Sequence, residues 1–188
     1  MIDLTIKGLP DRVTVAGKSF LVLTDFRDWL KFDYKISHGE NISILDFQWL
    51  LPEVDKLTLL TYANDFFMAL IDFYKNPNST PRATDRSAAP AVDYSQDGEY
   101  IYAAFKQAYN IDLVDVDGLH WHKFKALFLA LPESTKMSEI MRLRTWERTK
   151  KDSETLYAEA RDAWTLPREK TAEEEETIKA INDLFYNC

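Results

Sequence analysis

The chain has 188 residues, 46% of them hydrophobic and 29% charged, with a formal net charge of −8. That length suits one domain or two small ones, and a disordered chain would be poorer in large apolar groups. The acidic balance disfavours nucleic acid as a partner, because phosphate binding draws its affinity from Lys and Arg.

The aromatic residues, 11 Phe, 9 Tyr and 5 Trp, can build a large core or furnish an interface. With the single cysteine Cys188, no intrachain disulfide can form. Met1 to Lys7 lacks the basic flank and apolar run of a secretory signal. The longest apolar runs, such as Phe66 to Ile71, have six residues, far short of the roughly 20 that span a membrane. These features predict a protein that stays in the cytoplasm where it is made.

Arg12 to Val15 and Ser19 to Leu23 flank Ala16-Gly17-Lys18 and predict a hairpin; Leu4 to Lys7 can add a short strand. Thr24 caps a helix, with Asp25 and Asp28 at its positive end, that carries Phe26, Trp29 and Leu30 and ends at Gly39. Ile42 to Leu51 reads as a short helix or irregular turn before Pro52. Asp55 to Lys75 predicts one long helix with a stripe at Leu59, Ala63, Phe66, Leu70 and Phe73. Leu60, Phe67, Ile71 and Tyr74 widen the stripe, which implies burial on more than one side.

Residues 76 to 92 hold three prolines and almost no large apolar groups, as a linker or loop does. The rest reads as helical. One helix, capped by Ser95 or Asp97, carries Ile101, Ala104, Phe105 and Tyr109. Asp115 or Asp117 opens a second, with Leu119, Trp121, Phe124 and Phe128, that stops at Pro132. Ser134 or Thr135 starts a third, with Met137, Ile140 and Leu143. Two weaker segments, Ser153 to Trp164 and Thr171 to Tyr186, follow. The fold class is mainly α, a helical bundle with a small N-terminal β-hairpin. Its parts are residues 1–75 (hairpin plus helices), 76–92 (linker) and 93–188 (helical module with a weakly packed tail).

His120-Trp121-His122 near Asp112, Asp115 and Asp117 raises the question of a metal. On a helix, residues two apart point about 200° from each other, and the zinc-binding helix pattern needs spacing four. The better reading puts Trp121 in the core with the histidines flanking it. Asp115-Val116-Asp117-Gly118 lacks the later ligands of a calcium loop. No glycine pattern cradles phosphate, and no serine sits in a nucleophile elbow. No cofactor and no catalytic residue is predicted. Arg142, Arg144, Arg148, Lys150 and Lys151 form a basic cluster interrupted by Trp146. It reads as a solvated face pairing with Glu139, Glu147, Asp152 and Glu154, ahead of a nucleic-acid strip or a dock for an acidic partner.

Three segments then carry a resemblance: Tyr100-Ile101-Tyr102-Ala103-Ala104-Phe105, then Tyr109-Asn110-Ile111-Asp112-Leu113, then Leu119-His120-Trp121-His122-Lys123-Phe124. Together, with a looser fit around Asp25-Phe26-Arg27-Asp28-Trp29, they resemble the gene-product-fifteen family of long-tailed phages and prophages of Gram-positive bacteria. Position 122 departs from the pattern, with His where a second aromatic is expected. The resemblance implies a non-enzymatic tail assembly chaperone that binds the tape measure protein or tail-tube subunits, with self-association a further option. Partner contacts are expected at Tyr100, Tyr102, Trp121, Phe124 and Phe128, against the alternative that all five are core. Rival readings are a structural virion adaptor or connector and a metal-dependent enzyme using His120 and His122.

Overall fold

The structure, a computed structural model, describes residues 2, 4–39, 41–75, 91–145 and 161–166. The segments 76–90 and 171–186 of the sequence reading, and most of 153–164, lie outside them. The architecture is mainly α with one two-stranded hairpin, as the sequence predicts.

Strands β1 (Arg12–Val15) and β2 (Lys18–Leu21) pair antiparallel, with Val15 opposite Lys18. Ala16 and Gly17 turn the chain at φ 48° and 73°, the double positive φ that a tight hairpin matching strand twist requires. Val13 and Val15 alternate inward, and Phe20 sets its ring against the Phe66 edge at 5.2 Å.

Helix α1 (Phe26–His38) is capped by Asp25, accepting from the Arg27 amide, and not by Thr24 as the sequence suggests. Phe26, Trp29 and Phe32 are buried at a spacing of three. Trp29 Nε1 donates to the Leu23 carbonyl at 2.8 Å, so the one polar atom of this ring is satisfied. A 3₁₀ helix, Ile44–Leu50, follows behind a capping box of Ser43 and Asp46. Its buried residues Ile44, Phe47 and Leu50 fall three apart, matching three residues per turn.

The sequence predicts one helix over Asp55–Lys75; the structure has two, α2 (Lys56–Thr61) and α3 (Ala63–Lys75), parted at Tyr62. The Thr61 hydroxyl donates to the Leu57 carbonyl at 2.7 Å, a back-bond of the kind that bends helices. Leu59, Phe66, Leu70 and Phe73 are buried as the stripe predicts, whereas Leu60 is exposed.

Helix α4 (Gly98–Tyr109) follows Asp97, whose side chain reaches back to the Asp93 amide instead of capping. Asn110 closes it in the left-handed conformation, φ 52°, which Asn tolerates better than most residues. Helix α5 (Trp121–Leu129) starts later than Asp115 or Asp117 would have it. Its cap is His120, whose Nδ1 accepts from the His122 amide at 3.0 Å. Upstream, Asp112 is occupied in a turn, accepting from the Val114 amide. Helix α6 (Lys136–Thr145) begins behind Thr135, whose hydroxyl accepts from the Ser138 amide.

Packing divides the chain into two compact units, one of residues 1–86 and 92–139, the other of 87–91 and 140–188. The first unit draws on both sides of the stretch 76–92. Inside it, the Phe26 amide donates to the Leu119 carbonyl at 2.9 Å and the Trp121 amide to the Thr24 carbonyl at 2.7 Å. Arg27 Nη2 reaches the carbonyls of Leu113, Val114 and Val116 at 2.9–3.0 Å.

In the second unit Ile140, Leu143 and Leu166 are buried. Arg144 is buried too, donating from Nε to the Trp164 carbonyl and from Nη1 to the Ala91 carbonyl. The sequence places Arg144 on a solvated face; backbone carbonyls that need donors hold it inside instead. The rest of the basic cluster from Trp146 onward lies outside the described residues.

Candidate partner-binding surface

Aromatic rings from four helices of the first unit form a continuous stack. Trp29 lies on Phe73 with centroids 4.7 Å apart, and Trp121 lies on Tyr74 at 5.3 Å and Phe124 at 5.8 Å. Phe124 is sandwiched between Phe26 at 4.9 Å and Phe105 at 5.1 Å. The spacing Trp121, Phe124, Phe128 keeps all three on the inner side of α5. Of the five residues predicted for partner contact, these three are buried. Tyr100 and Tyr102 are half-buried on α4. The Tyr102 hydroxyl donates to Asp112 at 3.0 Å, and this hydrogen bond raises its pKa.

The histidines flank Trp121, as the sequence reading has it, but for a different reason. His120 has extended backbone, φ −61° and ψ 137°, and stands outside the helix. The helical angle between positions 120 and 122 therefore does not apply, and the two rings approach to 5.0 Å. They diverge at their tips: Nε2 of His120 lies 3.0 Å from the Pro10 carbonyl and Nε2 of His122 lies 3.0 Å from the Phe73 carbonyl. Because His120 Nδ1 accepts the capping bond, its proton sits on Nε2. Burial lowers both pKa values, that of His122 to about 4. Among the described residues, no three His, Cys, Asp or Glu side chains converge as a metal would need.

A concave apolar surface lies elsewhere in the same unit. A half-open groove of about 500 Å³ runs along α1 past Leu30, Tyr34 and His38, with Trp49 and Tyr94 on its other sides. Tyr34 is 53% exposed and stacks on His38 at 4.7 Å. Asp33 lines the groove and accepts a hydrogen bond from the Tyr74 hydroxyl. Burial raises the Asp33 pKa. Tyr74 and Tyr94 are likewise shifted upward, chiefly by burial. The sequence reading did not find this groove. Its one signal is a second periodicity on α1, positions 30, 34 and 38 at spacing four beside the core positions 26, 29 and 32.

A family model described as Bacteriophage Gp15 protein matches residues 6–166. The chain belongs to the Gp15 family. It is therefore a bacteriophage protein of the structural or assembly class. No curated protein and no solved structure matches it.

The matched Gp15 region holds both the stack and the groove. The segments that carried the resemblance have structural jobs here. Leu119 and His120 supply the link to the start of α1 and the cap of α5, and Trp121 and Phe124 fill the stack. Asp112 caps the turn after α4 and anchors Tyr102. In this Gp15 chain those residues are occupied in holding the fold, whereas Tyr34 of the groove stays more than half exposed.

Proposed function

We propose that this chain is a non-enzymatic tail assembly chaperone that binds the tape measure protein or tail-tube subunits in the host cytoplasm. The observation that carries the reading is the preformed apolar groove along α1 in a chain of the Gp15 family. A tape measure is a long helical chain, and an apolar groove accepts the apolar face of such a helix. The acidic charge keeps the carrier soluble while the groove stays open.

The non-enzymatic part is supported by what the polar groups do. His120 and His122 are bonded to backbone carbonyls, and Asp112 caps a turn. Tyr100 and Tyr102 of α4 are the proposed auxiliary contacts, with Trp121, Phe124 and Phe128 holding α5 behind them. A bound partner is released when tail subunits compete for the same helix.

Two measurements test this. Tagged full-length chain should capture a purified tape-measure fragment, and mass spectrometry should find the chain absent from purified phage particles. No capture of tape-measure or tail-tube protein overturns the proposal. Stoichiometric presence in particles supports the virion adaptor reading in its place.

A further inference from the structure

The groove on α1 has a length, a wall chemistry and a charge pattern, and together they specify what enters it. Leu30, Tyr34 and His38 span two turns, about 12 Å along the helix axis. That matches two turns of a second helix. The volume, about 500 Å³, falls within the roughly 300–1,000 Å³ of binding pockets. The walls at Leu30, Tyr34, Trp49 and Tyr94 are apolar or aromatic.

The charges around the rim are nearly all matched. Lys31 pairs with Asp28 at 3.3 Å, Lys35 with Asp46 at 3.5 Å, and His38 faces Asp93 at 3.6 Å. Asp93 also accepts from Ser95 and Gln96. Asp33 differs: the hydrogen-bond partner it has among the described residues is the neutral Tyr74 hydroxyl. The nearby Lys125 ammonium is bonded to the carbonyls of Tyr74 and Lys75 at 2.9 and 3.0 Å. A carboxylate at an apolar surface, with no cation in ion-pair range among the described residues, attracts a cation more strongly than one in water.

We infer that the groove seats one amphipathic helix of the partner, with a bulky apolar side chain between Leu30, Tyr34, Trp49 and Tyr94 and a lysine or arginine one turn away reaching Asp33. This deepens the chaperone reading and rests on it for the partner's identity, but the groove chemistry can be tested by itself. An apolar knob and a cation three or four residues apart lie on one helix face. A knob alone fills the walls and desolvates the carboxylate further with no opposite charge against it, which costs affinity.

The probe is a dye-labelled amphipathic helical peptide carrying one Phe and, one turn later, one Lys. A second peptide has Gln in place of that Lys. Fluorescence anisotropy reads their binding to the full chain. Tyr34→Glu, at an exposed position, should weaken the Lys peptide by about tenfold or more. Asp33→Asn keeps an acceptor for the Tyr74 hydroxyl. It should weaken the Lys peptide about fivefold and leave the Gln peptide within about twofold, as a half-buried ion pair predicts.

Unchanged affinity in Tyr34→Glu overturns the inference, as does equal weakening of both peptides by Asp33→Asn. Saturable binding of neither peptide overturns it as well. The same proteins are run against the tape-measure fragment. Capture that is indifferent to Tyr34→Glu sinks the groove assignment and leaves the chaperone reading standing. Failure of capture by the unmodified chain, with the peptide pattern as expected, does the reverse.

Discussion

Two faces of α1 use the same kind of side chain to opposite ends. On one face Phe26, Trp29 and Phe32 are buried among Phe73, Phe124 and Phe47, and the Trp29 indole is hydrogen-bonded. On the other, Leu30, Tyr34 and His38 line a groove with Trp49, whose Nε1 is buried without a hydrogen-bond partner among the described residues. Spacing three turns a helix position slowly one way and spacing four the other, so each series stays on its own side of the helix. The difference between them is what lies opposite. A complementary layer of rings covers the first series, and none of the described residues of the first unit covers Tyr34 and His38 of the second to the same extent. Aromatic content alone therefore cannot separate core from contact surface.

Substitutions should divide along that line. Trp121→Ala removes the ring that joins Trp29, Tyr74 and Phe124. It should cost about 3–5 kcal/mol, read as a lowered denaturant midpoint. A loss under about 1 kcal/mol would break the comparison.

Next comes pH. Above about 6.5 the His122 ring is neutral in both folded and unfolded chains. Below that, the unfolded chain takes up a proton that the folded one refuses until pH falls to about 4, because burial disfavours the charged ring. Stability should thus fall as pH drops from about 6.5 to 4, by up to about 3 kcal/mol, and this contribution should then level off. His120 shifts in the same sense. Urea melts of His122→Gln should show a flatter slope across that window; an identical slope would count against the assignment.

Arg27→Ala leaves three carbonyls without their shared donor. The guanidinium is partly exposed, so about 1–2 kcal/mol is expected in the same melts. Smallest of all, Tyr34→Ser should stay within about 0.5 kcal/mol of the unmodified chain. A larger loss would mean that the groove wall is core after all.

Much of the fold was legible because its signals are local. The hairpin turn, the 44–50 segment and the inward stripe of α3 each follow from residues within one or two turns of one another. The break at Tyr62 escaped because periodicity runs straight through it, and a threonine back-bond decides it. The start of α5 escaped for a non-local reason. Asp115 and Asp117 look like caps, but the helix waits until His120 bridges to Asp25. Arg144 was misplaced likewise, since its partners at 91 and 164 are distant in sequence. The groove needed three separate segments to meet, and only the periodicity on α1 hinted at it.

The bridge between Asp25 and His120 joins the cap residues of two helices that lie far apart along the chain. Each cap residue sits in a short ladder with the other, and the two reciprocal backbone bonds tie Phe26 to Leu119 and Trp121 to Thr24. Neither helix entrance is complete while the other is missing. The full stack of Trp29, Phe73 and Trp121 therefore closes only when segments far apart in sequence have met, the kind of long-range contact that slows folding relative to local ones.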